Sequence, residues 1–177
     1  MTKADIKHKL LESHEHFIAA IDSLNEDEFL YAPPGKWNAG QQLDHIHRSV
    51  YTLSVGMKFP KVLLKIFFGK ANRESRTYDQ LVERYIQRLS GGGRANGRFV
   101  PKAILFSQKQ KSIKKLFTAV AQLYKHVDHY TEQDLDKYIL PHPLMGKLTV
   151  REMMLFTIYH AQHHQRLTLK NLELKYK

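Results

Sequence analysis

Phe156-Thr157-Ile158-Tyr159-His160-Ala161-Gln162-His163-His164-Gln165-Arg166 lies inside an amphipathic helical pattern. The pattern opens at Thr149, where Thr149 and Glu152 have the form of a capping box, and it runs to about Leu174. Met153, Thr157, His160, His164 and Leu167 share one face of it, and Phe156 flanks that face. His160 and His164 therefore stack a turn apart on an inward stripe, where both imidazoles can reach one metal ion. Spacing alone is weak support. With 11 histidines in 177 residues, composition gives roughly 0.7 such pairs by chance. Two buried neutral imidazoles without partners are costly, and metal ligation is one way to satisfy them. Satisfied core histidines are the commoner outcome of such a pair.

Three further long helical segments surround this one. The first runs from about Lys3 to Leu24, with Ile6, Leu10, Leu11, Phe17, Ile18 and Ile21 at helical spacing. The second follows Asn38, which pairs with Gln41 as a capping box, and continues to about Met57 before Pro60 interrupts it. The third spans about Ala103 to Asp128, with Phe106, Ile113, Leu116, Phe117, Val120, Leu123 and Val127 on one side. Shorter helical pieces are expected over Lys61 to Phe68 and Asp79 to Leu89. The connections carry breakers: Ala32-Pro33-Pro34-Gly35, Ser90-Gly91-Gly92-Gly93, Asn96-Gly97, and Pro141-His142-Pro143 with Gly146. No alternating strand pattern of useful length and no internal repeat is visible. The reading is all-α: a four-helix bundle over residues 1–177 as one domain, with a short extra helix in the long crossover between helices two and three.

The absence of cysteine excludes disulfides, thiolate zinc sites, iron–sulfur clusters and cysteine nucleophiles. Any metal must be held by histidine and oxygen ligands. The N-terminus lacks the apolar core of a signal peptide, and Val62-Leu63-Leu64-Lys65-Ile66-Phe67-Phe68 is too short to span a bilayer. A cytoplasmic protein without a transmembrane segment is expected. The net charge of +11 invites an anionic partner. Some of that charge concentrates between Arg94 and Lys115, but no nucleic-acid-binding signature accompanies it. The basic, amphipathic piece from Met57 to Lys70 suits internal packing or a subunit contact better than a membrane surface.

A bundle builds metal sites from facing helices. The di-iron carboxylate class needs Glu-x-x-His pairs, and the chain has none; His-Glu-x-x-His is absent as well. The best third histidine is His45, in Gly40-Gln41-Gln42-Leu43-Asp44-His45-Ile46. It lies at the flank of the aliphatic side formed by Leu43, Ile46, Val50, Leu53 and Met57. Ser49, Thr52 and Gly56 fall on nearly the same line as His45. That small, polar stripe leaves room beside the imidazole, as a pocket wall does and a packed core does not. Asp44 points about 100° away from His45, and His163 about 60° from His160, so neither is assigned as a ligand. His8, His14, His16, His47, His126 and His129 read most simply as surface residues.

Three pieces, in this order and separation, carry a resemblance over nearly the full length: Lys36-Trp37-Asn38-Ala39-Gly40-Gln41-Gln42-Leu43-Asp44-His45-Ile46, His142-Pro143-Leu144-Met145-Gly146-Lys147-Leu148-Thr149, and His160-Ala161-Gln162-His163-His164. The chain resembles the DinB-like superfamily of metal-binding four-helix proteins. The resemblance implies a metal triad of His45, His160 and His164, holding nickel or zinc, with iron or manganese less suited. Relatives include S-transferases that use bacillithiol, mycothiol or glutathione. It thus implies a thiol S-transferase or hydrolase acting on a small molecule, with a low-molecular-weight thiol as a second cofactor. A homodimer is a further expectation. Gln41 and Ser49 are near enough to His45 to touch a ligand, Arg48 and Arg166 read first as solvent-exposed arginines and otherwise could meet an acidic thiol, and His142 either packs and caps its turn or meets substrate. Trp37 reads as the anchor of helix two. The alternative is a non-enzymatic basic binding or stress-response protein with a structural metal or a nucleic-acid partner.

Overall fold

The computed structural model describes residues 1–176. Its helices are α1 (Lys3–Asp22), α2 (Glu26–Leu30), α3 (Ala39–Met57), α4 (Lys61–Phe68), α5 (Tyr78–Ser90), α6 (Lys109–Val127), α7 (Glu132–Lys137) and α8 (Val150–Glu173). A hairpin of β1 (Ile139–His142) and β2 (Gly146–Thr149) precedes α8. The four long helices α1, α3, α6 and α8 form the bundle. Both α1 and α3 pack against both α6 and α8. Between them lie Leu10, Phe17, Leu43, Ile46, Leu116, Leu123, Met154 and Ile158, all buried. The crossover from α3 to α6 carries α4 and α5, and α5 lies against α8. The all-α bundle with its helical crossover is therefore as the sequence indicates.

The helix starts follow capping chemistry. Thr2 with Asp5, Asn38 with Gln41, and Thr149 with Glu152 each form a reciprocal capping box that satisfies free N–H groups. The same signature opens the short helices α2 (Asn25 with Glu28) and α7 (Thr131 with Asp134), which the apolar periodicity did not reveal. Helix α6 starts at Lys109, later than the expected Ala103, with no side-chain cap. Ile104 is buried and Phe106 half-buried, so the apolar rhythm continues through a stretch whose backbone holds only a 3-10 turn at Phe106–Gln108. Phe117, expected on the inward side, is 57% exposed.

The hairpin is a second departure from the sequence reading. Its strands are four residues each, too short for an alternating pattern to register, and they pair in the register Ile139↔Thr149 to His142↔Gly146. His142 Nδ1 accepts the N–H groups of Leu144 and Met145, closing the turn. On α4, Leu64 is buried while Val62, Ile66 and Phe67 are exposed, so only part of that helix packs inward. No helix among the described residues is long and apolar enough to cross a membrane.

One buried carboxylate ties the crossover to α8. Glu152 is fully buried. It receives Arg73 in a bidentate pair at 2.7 and 2.8 Å, the Arg76 N–H at 2.9 Å and the Arg76 guanidinium at 3.1 Å. Burial by itself would raise this carboxyl. The Arg73 pair and the backbone N–H groups of Arg76 and Thr149 outweigh it and hold the group below its ordinary value.

His14 corrects the expectation of a surface residue, being 1% exposed on the inward side of α1. Its Nδ1 donates to the Leu10 carbonyl at 2.7 Å, and its Nε2 has no hydrogen-bond partner among the described residues. Burial lowers it from 6.5 to about 4, against the carbonyl's upward pull. Between those values the unfolded chain takes up a proton that the folded chain refuses. This contribution is thus intact above pH 6.5 and is lost as pH falls to about 4, by up to about 3 kcal/mol. Urea denaturation across pH 4 to 7 should show wild type losing stability relative to His14→Leu toward acid. A difference independent of pH would refute the buried neutral form. His47 and His126 are partly buried, and His8, His16 and His129 are exposed.

Candidate metal centre

Two turns into α3 and halfway along α8, the bundle brings His45, His160 and His164 together, each about 5% exposed. Their ligand atoms all lie within 4.8 Å of one another. His160 Nε2 is 3.1 Å from His45 Nε2 and 3.0 Å from His164 Nε2. Two imidazoles each ~2.1 Å from one ion, at 90–110°, lie ~3.0–3.4 Å apart, so the spacing fits.

The outer ring nitrogens settle which form these rings take. His45 Nδ1 donates to the Phe99 carbonyl at 2.7 Å, and His164 Nδ1 donates to Gln42 Oε1. Each ring then turns a bare Nε2 lone pair inward when neutral. His160 Nε2 faces both of them and can donate to only one. At least one of the two short contacts is therefore lone pair against lone pair, unless a cation sits between. Burial, followed by the charges that neighbouring imidazoles would carry, pushes His160 and His164 well below the ordinary histidine value. Burial also lowers His45, although the Phe99 carbonyl opposes it. All three are neutral near pH 7, the form that a metal accepts. The buried three-histidine group could thus hold a divalent ion.

Neighbouring aromatic rings wall the site. Trp37 lies 5.0 Å from the His45 ring and 6.2 Å from the His164 ring, and its carbonyl receives Asn171 Nδ2 at 3.1 Å. It anchors the start of α3 to the end of α8 and forms part of the site as well. Phe156 stacks 4.8 Å from His160, and Tyr85 from α5 meets Phe156 edge-on at 5.0 Å. Above the histidines opens a groove of ≈ 1080 Å³. Ser49, Thr52 and Gly56 line it, as the small-residue stripe led us to expect. His142 and His163 line it too, and burial lowers each to about 4.

Several sequence candidates stand elsewhere. Gln41 belongs to the capping box and is not part of the lining; its neighbour Gln42 holds His164. Gln42 lies three residues before His45, on a neighbouring line of α3, and that i,i+3 relation was the available signal. Arg48 pairs with Asp44 and donates to the Arg98 carbonyl at 3.2 Å, while Arg166 is exposed over the Tyr159 ring. Neither lines the groove. The Phe99 carbonyl had no signal at all. It is delivered by the crossover loop, where Gly97 takes φ +51° to enter the 3-10 turn Gly97–Phe99.

The chain matches no curated protein. The family model of the DinB superfamily matches residues 9–167, which include all three converging histidines, the whole of α3 and α6 and most of α1 and α8. By that match, and by a helical bundle that agrees with it, this chain belongs to the DinB superfamily.

Proposed function

We propose that the protein is a divalent-metal-dependent enzyme in which His45, His160 and His164 hold the ion, and that it acts on a small molecule as a thiol S-transferase or hydrolase. The convergence of three Nε2 atoms at the floor of an open groove carries this reading. Three imidazoles suit nickel or zinc, and iron or manganese less well. When bound, such an ion supplies an open coordination position that makes a thiol or a water more acidic. Gln42 and the Phe99 carbonyl hold the His164 and His45 rings so that their lone pairs need no reorientation. Trp37, Tyr85 and Phe156 pack against the rings and form apolar walls of the groove beside them. The side toward Ser49, Thr52 and Gly56 stays open and admits substrate and a low-molecular-weight thiol. A purely structural site would be closed on all sides, so the groove supports chemistry.

Metal content is the direct test. Purified protein, or protein loaded with nickel or zinc, should carry about one ion per chain. Gln42→Leu removes the His164 partner and should weaken affinity by about 10–100-fold. Content near zero after loading with both metals would sink the proposal. In loaded protein, consumption of an alkylating electrophile that requires added thiol marks the transferase, and ester cleavage without thiol marks the hydrolase.

A further inference from the structure

The groove above the histidines carries charge of one sign. Among the described residues no Asp or Glu lines it, whereas Lys36, Arg94, Arg98 and Lys170 do. None of these four forms an ion pair among the described residues. Three of them adjoin residues at the histidine end: Lys36 precedes Trp37, Lys170 precedes Asn171, which bonds the Trp37 carbonyl, and Arg98 precedes Phe99, whose carbonyl holds His45. Unneutralised cations around one low-dielectric opening attract an anion.

The opposite end is apolar. Val55, Phe59, Phe68 and Leu140 line it. From Ser49, one turn beyond His45, to Phe59 just past the end of α3 is about ten residues, or ~15 Å of helix. The strip between is narrow in side-chain bulk. A Cβ on Gly56 would meet only Leu140, at 3.9 Å. Tyr51, Val55 and Phe59 also face solvent, so this end is open as well as apolar.

We infer that the groove binds an amphipathic anion. Its anionic head sits among Lys36, Arg98 and Lys170, and its aliphatic chain runs along α3 past Thr52 and Gly56 toward Phe59 and Phe68. As a substrate class this rests on the function proposed above; as a binding site it stands on charge and shape alone. A polar metabolite would leave the distal strip wet, and a cationic amphiphile would meet four like charges.

Trp37 is the only tryptophan of the chain, and it lines the groove, so its fluorescence reads occupancy. Dodecanoate, below its micellar concentration, should give a saturable change in both zinc-loaded and chelator-treated protein. Butyrate, which lacks the chain, and dodecylamine, which has the wrong charge, should each bind at least about tenfold more weakly. Dodecyl phosphate binding tighter than dodecanoate assigns the head as a phosphate, and the reverse order as a carboxylate. The pair Arg98→Glu with Lys170→Glu should weaken either probe by about tenfold or more. Gly56→Leu should weaken them similarly by filling the strip, with metal content unchanged. The inference is overturned if neither anionic probe saturates, if dodecylamine binds as well, or if Gly56→Leu binds like wild type. Saturable binding by protein that never takes up metal refutes the metal reading alone and leaves this site standing. Metal uptake without probe binding does the opposite.

Discussion

His160→Ala is expected to take metal content from about one ion per chain to near zero. His160 is the ring whose Nε2 lies about 3 Å from both of the others, so its loss leaves His45 and His164 without the ligand that joins them. The effect should also be visible in stability. A metal that binds only the folded chain stabilises it by about 4 kcal/mol when free metal exceeds its dissociation constant a thousandfold. Zinc or nickel should therefore raise the melting temperature of wild type clearly and leave that of His160→Ala where it was. The comparison is made on the metal-dependent increment, so the hole left by a truncated imidazole does not enter it. Equal increments in the two proteins would remove His160 from the ligand set.

Glu152→Ala should cost about 3–5 kcal/mol, read as a drop in the urea midpoint with little change in slope. Two arginines and two backbone N–H groups converge on this carboxylate, and all would lose their acceptor. Glu152→Gln keeps the shape and one oxygen but not the charge, so it should fall between wild type and Ala. A loss under about 1 kcal/mol for Ala would mean that Arg73 and Arg76, both partly exposed, simply turn to water, as surface pairs do. The residue also caps α8, the helix that carries His160 and His164. Its removal should then loosen the start of α8 first, measurable as faster amide exchange there than in α3.

The bundle was legible because its cause is local. Apolar residues at helical spacing and the capping boxes at Asn38 and Thr149 are written within a few turns of chain. The same local rule explains the errors. Ile104 and Phe106 continue the rhythm of α6 without its backbone, and the hairpin strands are too short to show a period. His14 shares the stripe of Leu10, Phe17 and Ile21 on α1, so its spacing pointed inward; its polar side chain, not its position, is what made it read as a surface residue.

For the site, the sequence by itself determined the three imidazoles, their helices, and the small-residue stripe at Ser49, Thr52 and Gly56. Helical periodicity fixes which side chains share a face, and that needs no partner helix. Only the tertiary structure decided that the three Nε2 atoms meet, that Gln42 and the Phe99 carbonyl orient two of the rings, and that Lys36, Arg94, Arg98 and Lys170 line a groove to which no described Asp or Glu contributes. These features join residues about 50 to 130 positions apart. Their juxtaposition depends on how helices pack and where one loop crosses, which no short-range pattern encodes.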